Sequence, residues 1–210
     1  MAVKSFNDIT LGTFQECYFI LKNEKDELDA WVKVIALLTN KSVETIENYS
    51  GEKLSKIIKS LEFLKQPNIN TKPKKYIGLN GKLFKATLLI TDLSTAQGID
   101  IKTFLKPIDG LSQEDMAVKN AHLILASIYK PLTYKGFKYD PINLMANAEL
   151  LKKVKFGDVS GTLFFYSSVW EKWMQVIDAY TKEADRILTN HMEEVIAWTQ
   201  TDLSNTGNGR

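Results

Sequence analysis

Apolar positions in the last quarter of the chain recur at alternating steps of four and three residues, from Val159 to Ile187. This spacing places them on one stripe of an α-helix, and neither Pro nor Gly interrupts residues 162–206. A continuous helix of about 40 residues would be ~60 Å long, whereas a compact chain of this length has a radius of gyration of about 17 Å. We therefore predict that the helix either bends around its own core or projects and is covered by a partner.

We expect the two halves of this helix to be buried in different ways. The first turns are apolar on more than one face, which predicts burial on more than one face. Their candidate core residues are Tyr166, Trp170, Trp173 and Ile177. Beyond Tyr180 fewer partners remain within the chain, so contact with another subunit competes with packing on the chain's own core. The candidate interface residues are Ile187, Leu188, Met192, Val195, Ile196 and Trp198.

The N-terminal third of the chain predicts a small bundle of helices. Thr10 is placed to cap a first helix, and apolar residues recur at helical spacing over residues 27–38. A single helical turn is predicted after Ser42. Ser50 is placed to cap a third long helix, which Pro67 ends.

One β-hairpin is predicted near the middle of the chain. Asn80 and Gly81 stand between two short runs with strand character, and this dipeptide favours a type I′ turn. A two-stranded hairpin is marginal in water, so it needs a surface to pack on. Residues 129–140 are rich in turn formers, aromatics and lysines, and they predict an exposed loop.

Two helices are predicted between these segments. The first is a short helix over residues 95–105. The second follows Ser112 and Asp115, which resemble a capping box, and it runs through Ile128.

Capping signals also predict where the last two helices begin. Pro141 follows Asp140 and would occupy the first position of a helix that ends near Lys153. Asp158 or Ser160 would cap the long C-terminal helix. The elements together predict an α+β fold that is predominantly α. We divide the chain into a helical bundle, a hairpin-containing mixed region, the long helix and a polar tail, at residues 1–66, 67–158, 159–203 and 204–210.

Composition narrows the classes of protein to which the chain can belong. No apolar run is long enough for a transmembrane helix, and the first residues lack the apolar core of a secretory signal. The single cysteine, Cys17, predicts a protein of a reducing compartment without a disulfide framework. The net charge of +2 gives no strong attraction to nucleic acid. Arg186 and Arg210 are the only arginines, and arginine is the residue suited to bidentate base and phosphate contacts.

Few residues are candidates for chemistry. Cys17 falls in the apolar register of the first helix, so we interpret it as a core residue rather than as a nucleophile. His122 and His191 are the only histidines, and they stand on different helices without a metal-binding motif. The adjacent carboxylates Glu114 and Asp115 point to different helix faces, as do the pair Glu193 and Glu194, and a solvated surface accounts for both pairs. We expect no catalytic residue, no metal and no cofactor.

A mixture of lysines and aromatics in residues 129–140 offers one weak candidate for nucleic-acid binding. Lys135, Phe137 and Lys138 could stack a base while they hold phosphates. An exposed loop with its aromatics folded onto the bundle explains the same pattern.

Several segments in order resemble a family of small proteins of tailed bacteriophages, those of crAss-like phages of Bacteroidetes among them. The resemblance rests on the opening FNDITLGTFQE, the helix WVKVIALLTNKSVETI, the Asn80-Gly81 hairpin and the FF stretch that enters the last helix. It spans most of the chain as an ordered pattern and implies a virion component or assembly factor without enzymatic activity.

We therefore expect a non-enzymatic structural protein of a tailed-phage virion, in the portal–neck–tail region and in several copies. Its partners would be other virion proteins and copies of itself, with no membrane. It would occur in the host cytoplasm during assembly and afterwards in the virion. One alternative is an internal cargo protein or a tail-assembly chaperone. The other is a nucleic-acid-associated protein that uses Lys135, Phe137 and Lys138.

Overall fold

The computed structural model describes residues 3–65, 72–108 and 110–166. The fold is α+β and mainly α, which confirms the predicted class. The chain groups into two compact units, Met1–Phe165 and Tyr166–Arg210, and the first contains every described residue except Tyr166. The described helices are α1 (Leu11–Asn23), α2 (Glu27–Thr39), α3 (Val43–Glu47), α4 (Gly51–Leu61), α5 (Thr95–Leu105), α6 (Gln113–Lys119), α7 (Ala121–Ile128), α8 (Leu144–Leu151) and α9 (156–166). The strands are β1 (Tyr76–Leu79), β2 (Lys82–Ala86), β3 (Tyr129–Thr133) and β4 (Gly136–Phe137), and short 3-10 turns occur at Phe6–Asp8, Glu62–Leu64 and Ile90–Asp92.

The predicted N-terminal bundle is confirmed by α1 to α4 and their caps. The side chains of Thr10, Ser42 and Ser50 each accept a hydrogen bond from the backbone N–H three residues later, at 3.2, 3.2 and 3.4 Å. Such bonds satisfy N–H groups that have no partner inside the helix. Eight buried side chains of this bundle form an apolar cluster, whose members are Cys17, Trp31, Val32, Val34, Ile35, Ala36, Ile46 and Leu61.

The start of α9 is held against the N-terminal segment. Thr10 and Lys155 form an antiparallel bridge, and the Phe156 N–H donates to the Ile9 carbonyl at 2.9 Å. The Phe156 ring stacks on that of Phe14, with centroids 3.8 Å apart and planes 8° apart. The bridge and the buried ring fix the first residue of this helix at 156.

The caps predicted for this helix are therefore wrong. Asp158 and Ser160 lie within the helix, after its first residue. The Asp158 carboxylate forms an ion pair with the Lys74 ammonium instead, and Ser160 is buried.

The predicted hairpin is present, but it is half of a larger sheet. Asn80 and Gly81 have φ values of 49° and 74°, as a type I′ turn requires, and Leu79 pairs with Lys82. The sheet has the antiparallel order β1-β2-β3-β4. The prediction of an exposed loop over residues 129–140 is therefore wrong where β3 and β4 form. Because Pro131 lacks an N–H and normally argues against a strand, local sequence did not indicate the pairing of β3 with the edge of β2.

Two predicted helix boundaries also differ from the structure. The helix predicted to run through to Ile128 divides into α6 and α7 at Asn120, whose side chain donates to the Phe104 carbonyl at 2.7 Å. Pro141 does not begin α8. The Asp140 carboxylate instead accepts from the Asn143 N–H and side chain at 3.2 and 2.8 Å, and this turn delays the helix to Leu144. That helix ends at Leu151, close to the predicted end near Lys153. The short helix over 95–105 and the Ser112–Asp115 capping box are confirmed.

Candidate functional site

The sheet has one buried face and one face that remains open to solvent. Ile77, Phe84 and Ala86 are buried, so their face belongs to the core. Residues directly opposite each other in an antiparallel pair share a face, and successive residues alternate. We define the outer face of the sheet by the side chains on the other side, which are Tyr76, Leu83, Lys85, Lys130, Leu132 and Phe137.

Aromatic and cationic groups converge on this outer face. The rings of Tyr76 and Phe137 come from β1 and β4, yet their centroids lie 5.9 Å apart at an interplanar angle of 52°. The Lys75 Nζ is 5.7 Å from the Tyr76 centroid, and the Lys85 Nζ is 5.8 Å from the Phe137 centroid. The Tyr76 side chain is 47% exposed, so part of the aromatic surface is free to contact a ligand.

A cavity of about 360 Å³ adjoins the same groups. Lys75, Lys85, Lys130 and Phe137 line it, and among the described residues Asp92 is the one carboxylate in its lining. Lys85 and Lys130 are directly opposite each other across β2 and β3. In the described part of the chain, none of these three lysines forms an ion pair with a carboxylate. The cavity is therefore a small basic site with an aromatic wall.

The three residues of the predicted nucleic-acid candidate occupy different positions around β4. Phe137 lies on the outer face, next to Lys85. Lys135 occupies the β3–β4 turn, where its Nζ is 5.2 Å from the ring of Tyr134, and Lys138 follows β4. Both lysines are exposed.

Sequence reasoning missed the other members of the site. Lys85 and Lys130 are 45 residues apart in sequence and become neighbours only through the pairing of β2 with β3. The available signal was the alternation Phe84-Lys85-Ala86, in which a lysine separates two apolar residues. That pattern predicts an outward lysine on a half-buried strand.

Asp115 was expected to be a solvated surface carboxylate, and this prediction is wrong. The residue is 3% exposed. Lys22 forms an ion pair with it, the Tyr18 hydroxyl donates to it at 3.1 Å, and the Ser112 hydroxyl donates to it at 2.7 Å. The hydrogen bond from Lys22, followed by that from Ser112, holds the pKa of Asp115 well below its usual range. The carboxylate is thus a fixed anion that joins α1 to α6.

Two further candidates for chemistry are held in structural roles. The Gln15 side-chain nitrogen donates to the carbonyls of Val118 and Lys119 at 2.7 and 2.8 Å, and it lies 3.2 Å from His122 Nδ1. Burial, together with the nearby Lys152, lowers the pKa of His122 to about 4. Cys17 is buried, as its register predicts, and burial raises the pKa of its thiol to about 12. A thiol with this pKa is a poor nucleophile at neutral pH.

Buried hydroxyl and amide groups tie other elements together. The Tyr129 hydroxyl donates to the Lys74 carbonyl at 2.7 Å and lies 3.0 Å from the Thr162 hydroxyl. The Gln97 side chain donates to the Ser127 carbonyl at 2.6 Å. These bonds join α9 to the segment before β1, and α5 to α7.

The candidate core residue Tyr166 is 2% exposed. The other candidate core residues and the whole candidate interface lie outside the described residues, namely Trp170, Trp173, Ile177, Ile187, Leu188, Met192, Val195, Ile196 and Trp198. His191 and the pair Glu193 and Glu194 also lie outside them.

No family model, curated protein or solved structure matches the chain. Within residues 3–65, 72–108 and 110–166, no group of three or more His, Cys, Asp and Glu side chains is arranged to hold a metal ion. Over the same ranges, no helix is both long and apolar enough to cross a bilayer.

Proposed function

We propose that the protein is a non-enzymatic structural or assembly component of a tailed-phage particle, present in several copies in the portal–neck–tail region. Its function would be to present rigid surfaces to other virion proteins and to copies of itself. The sequence resemblance supports the phage assignment. Polar side chains in this fold connect segments that are distant in sequence, and these contacts support a structural role.

The observation that carries the structural proposal is the set of polar contacts between segments distant in sequence. Gln15 reaches backbone carbonyls more than 100 residues away, and Lys22 reaches Asp115 across 93 residues. The Tyr129 hydroxyl bonds a carbonyl 55 residues before it. Satisfied buried networks of this kind rigidify a core and specify one arrangement. The side chains of Gln15, Lys22, Asp115 and Tyr129 are thereby engaged in holding distant elements together.

Exposed apolar side chains near α5 and α8 offer a surface for protein contacts. The Tyr139 hydroxyl donates to the Asp100 carboxylate, which brings these two segments together. Ile99 precedes Asp100 directly, and Ile142 and Met145 follow Tyr139 closely; all three are exposed, Ile142 by 92%. These three exposed side chains lie on segments that the Tyr139–Asp100 bond joins, and a contiguous exposed apolar surface marks an interaction site.

Sedimentation velocity of the full chain over a range of concentrations tests the proposal. We expect a defined oligomer, and we expect the triple variant Ile99→Ser, Ile142→Ser, Met145→Ser to weaken it without unfolding the chain. The control is Leu28→Ser, because Leu28 is a similarly exposed apolar residue at the start of α2. A chain that stays monomeric, and that is also missing from purified particles, would contradict the structural assignment.

Particle composition separates the first alternative from the structural role. A tail-assembly chaperone would be present in lysates of infected cells and absent from mature virions, whereas a cargo protein would leave the particle together with its contents. The nucleic-acid alternative gains one specific observation, which is the basic and aromatic character of the outer face.

A further inference from the structure

We propose that the outer face of the sheet binds single-stranded nucleic acid, with a base against Tyr76 and Phe137 and with phosphates at Lys75, Lys85 and Lys130. This site goes beyond the proposed packing function, because it uses a different surface and a different class of ligand.

The charges of the face favour an anionic ligand. Lys85 and Lys130 are cross-strand neighbours, and like charges directly opposite each other destabilise a sheet. No carboxylate of the described residues pairs with either of them or with Lys75. An anion bound in the cavity would neutralise this repulsion. The chain as a whole carries a net charge of only +2, so the concentration of three lysines around one cavity is a local feature.

The aromatic pair favours a ligand that carries planar bases. The ring centroids of Tyr76 and Phe137 lie 5.9 Å apart, and each ring has a lysine Nζ within 6 Å of its centroid, Lys75 for Tyr76 and Lys85 for Phe137. Proteins that bind single strands combine such rings, on which bases stack, with a basic groove that follows the backbone. Inorganic phosphate or a polyphosphate would use the lysines alone and leave the rings in water.

The shape of the site favours a single strand over a duplex. A sheet face with aromatic side chains reaches bases that are unstacked, and the bases of a duplex are stacked inside it. Reading the major groove requires an inserted helix or β-ribbon, whereas this face is a sheet surface beside a cavity of about 360 Å³. A protein partner would also cover the exposed Leu83 and Leu132, but it would not need three lysines around one cavity that form no ion pair with any described carboxylate.

Fluorescence anisotropy of the full chain with a labelled oligothymidylate of about 12 nucleotides tests the site. Three phosphate contacts predict a slope of about −2 in log K against log salt for a single strand, so affinity should fall about 20-fold between 50 and 200 mM salt. Lys85→Gln and Lys130→Gln should each reduce the magnitude of that slope by roughly 0.7.

Substitution of Tyr76 separates stacking from charge. Tyr76→Leu should weaken binding by about 5- to 150-fold, the range measured for the loss of one stacked base. Tyr76→Phe keeps the π-face and should bind as the parent does. Because Tyr76 is half-exposed on an edge strand, we expect all three proteins to have similar Tm values, which a thermal melt checks.

Matched controls decide the outcome. The triple variant Lys25→Gln, Lys59→Gln, Lys102→Gln removes the same charge from exposed lysines outside the cavity and should change affinity by less than the triple variant of Lys75, Lys85 and Lys130. Equal losses from the two sets would overturn the proposal, as would equal affinity for a duplex. Binding that is unaffected by Tyr76→Leu would mean polyanion binding only, and it would overturn the proposal too. None of these results bears on oligomer formation or on the presence of the chain in particles, so the structural proposal is tested separately.

Discussion

Replacing Phe156 with alanine is expected to destabilise the protein more than most single substitutions do. The side chain is 1% exposed, stacks on Phe14 at 3.8 Å and meets the edge of Phe6 at 5.1 Å. Truncating a buried Phe costs about 3 to 5 kcal/mol, because transfer free energy is lost and a cavity remains. For a chain of this size that corresponds to a fall of roughly 6 to 20 °C in Tm.

Urea denaturation of Phe156→Ala and Phe164→Ala provides the measurement. Phe164 lies on the same helix and is 40% exposed, so its truncation should cost only about 1 to 2 kcal/mol. The two variants remove the same atoms from the same helix and differ in burial. If Phe156→Ala costs no more than Phe164→Ala, the assignment of Phe156 as the anchor of α9 is wrong.

A double-mutant cycle isolates the stacked contact itself. Phe14→Ala and Phe156→Ala should couple by about 0.5 to 1.5 kcal/mol, the contribution of an aromatic pair beyond its buried area. Strictly additive losses of stability would refute a direct contact between these two rings, even if each single variant is destabilised as expected.

Two other predictions concern the hairpin and the pH dependence of stability. Gly81→Ala should cost roughly 1 to 2 kcal/mol, because its φ of 74° is unfavourable for an L-residue. Gly78→Ala, which has open space around it, should be neutral or stabilising by up to about 1 kcal/mol; urea midpoints in the reverse order would contradict the turn assignment. Burial lowers the pKa of His122 from 6.5 to about 4, so the unfolded chain binds more protons between these values and stability should decrease as pH falls through that window. His122→Gln should flatten this dependence, and an unchanged pH profile of the urea midpoint would show that His122 does not cause it.

Sequence patterns predicted those elements that depend on nearby residues. Thr10, Ser42 and Ser50 cap their helices as predicted, and the turn at Asn80 and Gly81 forms, because each depends on contacts within three or four residues. The α9 cap failed for the opposite reason. Its first residue is set by a bridge to Thr10, and no local pattern encodes a contact across 145 residues.

The candidate site illustrates the same limit. The outer face exists because β3 extends the hairpin, and it places Lys130 beside Lys85. The environment of Asp115 likewise depends on Tyr18 and Lys22, which belong to α1 and precede it by 97 and 93 residues. In both cases the residues were visible in the sequence, but their environment was set by packing between distant elements.

The same polar contacts that support a structural role also fix the geometry of the outer face. The Tyr129 hydroxyl bonds the Lys74 carbonyl at 2.7 Å, and the Ala86 N–H bonds the Lys75 carbonyl at 2.8 Å. Lys74 is also paired through its ammonium with Asp158 of α9. The backbone that carries Lys75 and Tyr76 is therefore held from β2, from β3 and from α9. A site fixed from three sides loses little conformational entropy when a ligand binds, so rigidity and ligand binding would depend on the same contacts.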